Sequence, residues 1–324
     1  MNSYFETTLS VYQDAAINPN KGLCCTTTPV WQLPDLRIPS KMLEMNYGCG
    51  STVAPRDLVN HPTVLYVGVG GGMELLQFAY FNRRDGGITG IDLVDEMLST
   101  CSANLLEAES QNPWFKSSFV DLKKGNALEL PVADESIDVA AQNCLFNIFD
   151  IEDLKIALSE MYRVLKPNGR LVLSDPVADR EIPLFLRQND YLRALCLSGS
   201  LPMEQYLDLI TGAGFGTVEI RARRLYRVLS TLEFPELREN IILYSIELCA
   251  IKDPMPADGP CIFTGKSALY FGPDPYFDDE KGHILFQNQP LSVCDKTARA
   301  IGRSGNPHIF ISESSYHYDG GGCC

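Results

Sequence analysis

The chain has 324 residues, of which 45% are hydrophobic and 21% are charged, a composition typical of a globular protein with room for more than one structural unit. Its 27 basic and 41 acidic residues give a net charge of -14, which disfavours nucleic acid and anionic membranes as partners. The first residues lack a basic start, and no run of about 18 apolar residues occurs. We therefore expect a cytoplasmic protein without a membrane span.

The sequence contains 11 cysteines, including adjacent pairs at Cys24-Cys25 and Cys323-Cys324. An odd count with scattered spacings argues against a disulfide scaffold, which a reducing cytoplasm would also disfavour. A structural zinc site is not expected either, because no C-x2-4-C pair occurs and the four histidines have no matching spacing. The thiols therefore need another explanation.

In chain order, the sequence predicts four segments. Residues 1–60 combine a short helical opening with a loop-rich, proline-containing stretch that carries thiols. Residues 61–177 alternate apolar strands with amphipathic helices, which predicts a doubly wound, mostly parallel α/β sheet. Its strands are TVLYVGV, GITGIDL, SIDVAAQNC and GRLVLSDPV. Residues 178–250 add helical patterns and two strands, and residues 251–324 form a C-terminal appendage rich in Pro, Gly and Asp.

A glycine turn lies between the first strand and the first helix of the α/β segment. The stretch VLYVGVGGGMELL places Gly68, Gly70 and Gly72 where the backbone can pass close to a ligand at a helix N-terminus. The spacing is not the dinucleotide fingerprint G-x-G-x-x-G, because Met73 occupies the last position. Asp92, at the end of the next strand, is placed to accept hydrogen bonds from ribose hydroxyls.

These residues, with LPVADESIDV and RVLKPNGRLVLSD further on, resemble the class I S-adenosylmethionine-dependent methyltransferases. The resemblance implies a Rossmann-like domain over residues 61–177 with S-adenosylmethionine as cofactor. It assigns cofactor binding to Gly68, Gly70, Gly72, Asp92, Met97, Asn126, Ala127 and Asn143. Two positions depart from the family pattern: Tyr66 replaces the acid two residues before the first glycine, which helps to hold the methionyl amine, and Asn126 replaces the acid of a GDA motif.

Three cysteine motifs extend the resemblance. Cys144 ends a predicted strand at the ligand-binding edge of the sheet. The stretches NYGCGS, QNCLFNIF and RALCLSGSLPMEQY together resemble the arsenite methyltransferases. That resemblance implies that Cys49, Cys144 and Cys196 bind trivalent arsenic, that residues 178–250 form an arsenic-binding subdomain, and that Cys24 or Cys25 pairs with Cys49. We take Cys25 as the candidate.

The C-terminal segment, with GPCIFTG, VCDKTA and GGGCC, resembles a bacterial subset associated with arsenosugar biosynthesis. The roles of Cys261 and Cys294 stay open. Cys323-Cys324, on its glycine tether, is interpreted either as an arsenic-capturing dithiol or as an incidental tail.

The chemistry fits the residue types, because arsenic(III) is soft and prefers thiolate ligands. Its lone pair carries no proton, so methyl transfer needs no general base, in accord with the absence of histidine between residues 62 and 282. The family resemblance also implies a thiol reductant, glutathione or thioredoxin, as co-substrate.

We therefore interpret the chain as an arsenite methyltransferase. Two alternatives remain: a class I methyltransferase acting on another small O, N or S nucleophile, and a thiol-rich metal-sequestering or redox protein with a degenerate glycine loop. Cys101 and Cys249 are interpreted as buried structural residues.

Overall fold

The structure, a computed structural model, describes residues 3–20, 22–23 and 33–320. Within them the helices are α1 Ser3–Ile17, α2 Ser40–Glu44, α3 Met73–Asn82, α4 Asp95–Gln111, α5 Ile151–Val164, α6 Leu184–Arg187, α7 Asp190–Ala194, α8 Met203–Gly212 and α9 Asp295–Gly302. The strands are β1 Val64–Val67, β2 Ile88–Asp92, β3 Val120–Lys124, β4 Ile137–Asn143, β5 Leu165–Ala178, β6 Thr217–Leu229, β7 Ile241–Ile251, β8 Cys261–Phe263, β9 Lys266–Tyr270, β10 Tyr276–Asp278, β11 Ile284–Phe286, β12 Leu291–Val293 and β13 Ile309–Ile311.

The central sheet of the described residues has the strand order β3-β2-β1-β4-β5-β7-β6-β8. The first five strands in this order pair in parallel, and β7 runs antiparallel to both β5 and β6. This confirms the predicted mostly parallel, doubly wound, Rossmann-like sheet. The point where the order reverses lies between β1 and β4, so ligands are expected at the carboxyl ends of these strands.

Helices cover both faces of the sheet, which explains why β1 is a continuous apolar run. Successive β1 side chains enter opposite cores, as the two-residue period of a strand requires. Val64 and Tyr66 pack in the core that includes residues of α3 and α4, whereas Leu65 and Val67 pack in the core that includes residues of α5 and α8. The glycine turn after β1 is thus held between two packed layers.

Strand β3 was absent from the sequence-based prediction because it lies at the sheet edge and is largely polar. Only Val120 of this strand is buried, and its lysines are exposed. The segment after residue 250 contains further short strands. Its β8 pairs with β6 of the main sheet, while β12, β9 and β13 form a separate sheet that packs with α9. The proposed division at residue 250 stays a prediction.

The predicted short helical opening is a 15-residue helix, α1, which lies against α4 and α7. The Tyr12 hydroxyl donates to the Ala194 carbonyl oxygen at 3.3 Å, and the Tyr4 hydroxyl donates to the Asp153 carboxylate. None of the helices in the described ranges is long and apolar enough to cross a membrane.

Candidate active site

The turn between β1 and α3 has the backbone conformation that the glycine spacing predicts. Gly68, Gly70 and Gly72 adopt φ values of 83°, 51° and 88°, in the left-handed region that other residues enter only with strain. The Val69 N–H donates to Asp92 Oδ2 at 3.0 Å, which fixes the turn against the end of β2. The result is an open cradle at the carboxyl edge of the sheet.

A cavity lies in this cradle, and most of the predicted cofactor residues line it: Gly68, Gly70, Asp92, Met97, Asn126, Ala127 and Asn143. Gly72 is outside the lining. A side chain at Gly72 would meet the Cys101 sulfur at 2.9 Å, so this glycine allows α3 to begin close to α4. Cys101 and Cys249 are buried, as the sequence analysis predicted.

Asp92 is partly buried, with its carboxyl group at the mouth of the turn. Burial raises its pKa to about 6, against the opposing effect of backbone N–H groups that stabilise the carboxylate. The Val94 N–H donates to its second oxygen at 3.0 Å. Asp92 is thus rigidly held as a hydrogen-bond acceptor. The cavity is open, glycines line one part of it, and Asp92 supplies a hydrogen-bond acceptor. These features fit a nucleoside.

Helix α1 also lines the cavity, and no sequence motif predicted this. Phe5, Thr8, Leu9 and Tyr12 of α1 line the cavity, and we call these four residues its roof. The N-terminal sequence carries only a helical pattern, with no motif that would assign this helix to a ligand site. Its position depends on packing against α4 and α7, which are distant in sequence.

Tyr66, at the position where the family resemblance implies an acid, forms a hydrogen bond to an acid elsewhere. Its hydroxyl donates to Glu74 Oε2 at 2.6 Å, and both side chains line the cavity. Burial, followed by the nearby Glu74 charge, raises the pKa of Tyr66 well above its ordinary value, so this phenol is neutral. Glu74 was not among the residues predicted from the sequence.

Two of the predicted arsenic ligands lie in strained backbone positions beside one another. Cys144 follows β4 with φ 62°, and Cys196 follows α7 with φ 58°. A residue other than glycine in this region costs about 1 kcal/mol, and such strain is often found at functional sites. The Cys196 thiol donates to the Cys144 carbonyl oxygen at 2.6 Å, so the two segments touch.

Cys49 lies on the loop after α2 and contacts the same strand ends. Its sulfur is 3.3 Å from Ser174 Oγ, while the Ser174 carbonyl oxygen accepts a hydrogen bond from the Cys144 N–H at 2.7 Å. The Asn143 carboxamide accepts from the Cys49 N–H at 3.0 Å and donates to the Gly50 carbonyl oxygen at 2.8 Å. Ser174 and Asn143 therefore join Cys49 to the end of β4.

The three thiols are buried, with exposures of 4% for Cys49, 3% for Cys144 and 0% for Cys196. Cys144 lines the cofactor cavity. In the described ranges, no three His, Cys, Asp or Glu side chains are arranged as a metal site, so three-thiolate ligation stays a prediction. The predicted redox residue Cys25, its neighbour Cys24, and Cys323-Cys324 lie outside the described residues.

This chain is similar in sequence to known proteins. A family model described as a methyltransferase domain matches residues 65–173. An arsenite methyltransferase from Aquipseudomonas alcaligenes is 29% identical to this chain, with the alignment covering 91% of this chain and 86% of that protein. An arsenite methyltransferase from Rattus norvegicus is 26% identical, with coverage of 94% and 81% respectively.

Among solved structures, an arsenic(III) S-adenosylmethionine methyltransferase from Chlamydomonas reinhardtii shares the fold. It has a TM-score of 0.61 and 24% identity, covering 90% of this chain and 99% of that one. The cofactor cavity lies within and beside the segment that the family model matches. The protein is therefore an S-adenosylmethionine-dependent methyltransferase of the Rossmann-like class I fold, similar over most of its length to the arsenite methyltransferases.

Proposed function

We propose that the protein transfers methyl groups from S-adenosylmethionine to trivalent arsenic bound by Cys49, Cys144 and Cys196. The observation that carries the proposal is the meeting of three cysteine-bearing segments at the edge of the cofactor cavity. Cys144 lines this cavity and contacts Cys196 directly, and Ser174 connects Cys144 to Cys49. The similarity to arsenite methyltransferases supports the same reading.

The residues of the cavity fit the cofactor. Asp92 would accept hydrogen bonds from its ribose, Asn126 and Ala127 would lie beside its base, and the glycine turn would let its chain approach the backbone. When bound, S-adenosylmethionine supplies an electrophilic methyl group on a sulfonium centre. The roof formed by α1 would exclude water from the cavity.

The thiolates would bind and orient the arsenic substrate. Sulfur ligands suit its softness, and three of them on one side leave its lone pair directed away from them. Because Cys144 lines the cavity, arsenic bound to it would face the cofactor. Among the described lining residues there is no histidine, lysine or arginine, and a nucleophile without a proton requires none as a base. Positioning would therefore supply most of the rate enhancement.

Binding would require the thiols to exchange partners. The Cys196 sulfur would leave the Cys144 carbonyl oxygen, and the Cys49 sulfur would leave Ser174. The strained backbone at Cys144 and Cys196 would be retained, because such strain persists where the surrounding structure holds it. Residues 178–250, which carry Cys196, would thus complete the arsenic-binding part of the site.

Each transfer uses the arsenic lone pair to form a carbon–arsenic bond, which formally oxidises arsenic by two electrons. Conversion of two thiols to a disulfide would return these electrons, and glutathione or thioredoxin would then reduce the disulfide. By resemblance to the family, Cys49 and Cys25 would form it. A cytoplasmic location fits this cycle, because thiols stay reduced there.

The test is methyl transfer to arsenite from S-adenosylmethionine labelled in its methyl group, in the presence of a thiol reductant. We expect labelled methylarsenicals, separated by chromatography and identified by mass. Label that instead appears only on added oxygen, nitrogen or sulfur acceptors would identify a methyltransferase with another substrate. Binding of arsenite without any transfer would identify a sequestering protein.

A further inference from the structure

Glu74 is a buried acid in the cofactor cavity that the mechanism above does not use. It is the second residue of α3, and its exposure is 6%. Glu74 and Asp92 are the acidic side chains among the described residues that line the cavity, and no cationic side chain lines it. The cavity therefore presents one buried and one partly buried carboxyl group to its ligand.

The contacts of Glu74 come from neutral groups. Its Oε2 accepts hydrogen bonds from the Tyr66 hydroxyl at 2.6 Å and from Asn143 Nδ2 and Thr52 Oγ1, each at 3.1 Å. Its Oε1 accepts from the Thr52 N–H at 2.9 Å. No ion pair is formed by Glu74 with any residue in the described ranges. Burial raises the pKa of Glu74, as expected for a carboxyl group without a cationic neighbour.

These contacts favour a cation that donates hydrogen bonds. A buried carboxylate is costly unless a cation and hydrogen bonds compensate its charge. Oε1 receives one bond from the protein, and a carboxylate oxygen can accept another. S-adenosylmethionine carries two cationic groups, and its ammonium donates hydrogen bonds whereas its sulfonium does not. Asp92 lies at the end of β2, and its oxygens already accept hydrogen bonds from the Val69 and Val94 N–H groups.

We propose that Glu74 binds the ammonium group of S-adenosylmethionine, so that helix α3 supplies a charge that Tyr66 does not supply from β1. This inference rests on the cofactor of the proposed function and is independent of arsenic as the methyl acceptor. The same carboxylate contacts Thr52 and Asn143, which flank and hold the Cys49 loop. Glu74 thereby connects the cofactor's amino-acid end with the position of Cys49.

The test compares three nucleosides by calorimetry with the wild-type protein and Glu74→Gln. S-adenosylmethionine carries both cations, S-adenosylhomocysteine carries the ammonium alone, and 5′-methylthioadenosine carries neither. We expect Glu74→Gln to weaken binding of the first two by about 10- to 100-fold, as for loss of a charged hydrogen bond. Binding of 5′-methylthioadenosine should change less than about twofold. Tyr66→Phe, the matched control, keeps the carboxylate and should preserve the preference for S-adenosylhomocysteine over 5′-methylthioadenosine.

Equal weakening of all three nucleosides would show that Glu74 only supports the shape of the site and would overturn the proposal. Weakening of S-adenosylmethionine alone would assign Glu74 to the sulfonium and would also overturn it. A second measurement avoids the variants: in wild-type protein carrying [δ-13C]glutamate, the Glu74 carboxyl resonance should shift with S-adenosylhomocysteine and not with 5′-methylthioadenosine. Equal shifts would contradict the proposal.

The outcome is separable from that of the proposed function. If the wild-type protein binds S-adenosylmethionine with this ammonium dependence but does not methylate arsenite, the acceptor is wrong and the role of Glu74 stands.

Discussion

Asp92 gives the cofactor site a pH dependence that can be measured. Its pKa is raised by burial from 3.8 to about 6, so the carboxyl group is largely protonated below that pH. The ionised form is the better acceptor for ribose hydroxyls, and cofactor affinity should therefore increase as pH rises through about 6. Folding stability has the opposite sign: the contribution of Asp92 is present below pH 3.8 and is lost as pH rises through about 6.

We expect Asp92→Asn to weaken S-adenosylmethionine binding by about 10- to 100-fold and to flatten its pH dependence near 6. Calorimetry between about pH 5 and 8 measures both effects, over the range where the shifted carboxyl titrates. Burial also raises the pKa of Glu74, so Glu74 would contribute to any slope that remains. Unchanged affinity in the variant would remove Asp92 from the cofactor site.

The cysteines can be tested one by one. Cys144→Ser and Cys196→Ser should abolish methylation of every arsenic species, because a hydroxyl is a poor ligand for a soft centre. Cys49→Ser should reduce methylation of inorganic arsenite most if Cys49 also takes part in the recycling disulfide. Cys249→Ser is the matched control, since Cys249 is buried in β7 and does not line the cavity. Near-normal rates in the three ligand variants would refute three-thiolate binding.

At the scale of elements, the loop that carries Cys49 depends on close backbone approach. A side chain at Gly48 would come within 2.6 Å of Asn143 Cγ, the residue that holds the loop. We expect Gly48→Ala to destabilise the protein by about 1–3 kcal/mol through overpacking and to lower the methylation rate. Gly212→Ala is the control: it meets nothing within 4 Å, and it should be neutral or stabilising by about 0.5–1 kcal/mol. Thermal unfolding and initial rates give the comparison.

Helix α1 forms the cavity roof and also touches the segment that precedes Cys196, through the hydrogen bond from Tyr12 to Ala194. Deleting residues 1–17 should weaken cofactor binding by about tenfold, which corresponds to a loss of roughly 1.4 kcal/mol of burial. Tyr12→Phe, which keeps the ring and removes only the hydroxyl, should change affinity by less than about threefold. Calorimetry with S-adenosylmethionine measures both variants, and normal affinity after the deletion would show that α1 is dispensable for binding.

The elements that were predicted from sequence are those with a strong local pattern. The predicted strands are apolar runs, namely β1, β2, β4 and β5, and the helices between them have a regular apolar period. The glycine turn was predictable because glycine suits the left-handed backbone that the turn needs. The edge strand β3 has no apolar run, and the short strands after residue 260 have no clear period. No local sequence pattern indicates that α1 forms the roof or that Glu74 lies in the cavity, because both arise from contacts between distant segments.

For the whole molecule, topology was predictable because strands and helices alternate, whereas the placement of the C-terminal segment was not. Tyr318 packs on Phe263 with ring centroids 4.8 Å apart, and Arg56 lies 5.8 Å from the Tyr318 ring. Arg221 of β6 pairs with the buried Asp57, on the same stretch that follows the Cys49 loop. The contacts of Arg56 and Arg221 join residues more than 160 positions apart, and no sequence period encodes them.

The burial of the thiols has a consequence for which reagents can reach them. All seven cysteines in the described residues are buried, which leaves four of the 11, Cys24, Cys25, Cys323 and Cys324, outside that set. Intact-mass spectrometry after brief exposure of the native protein to a bulky maleimide should therefore count at most four modified thiols, and denaturation should reveal the others. Rapid labelling of more than four would mean that the thiol-bearing segments open readily. A closed native state would let a small arsenic species reach the thiols and would exclude larger electrophiles. The size of the incoming molecule would then select the substrate before its affinity for sulfur does.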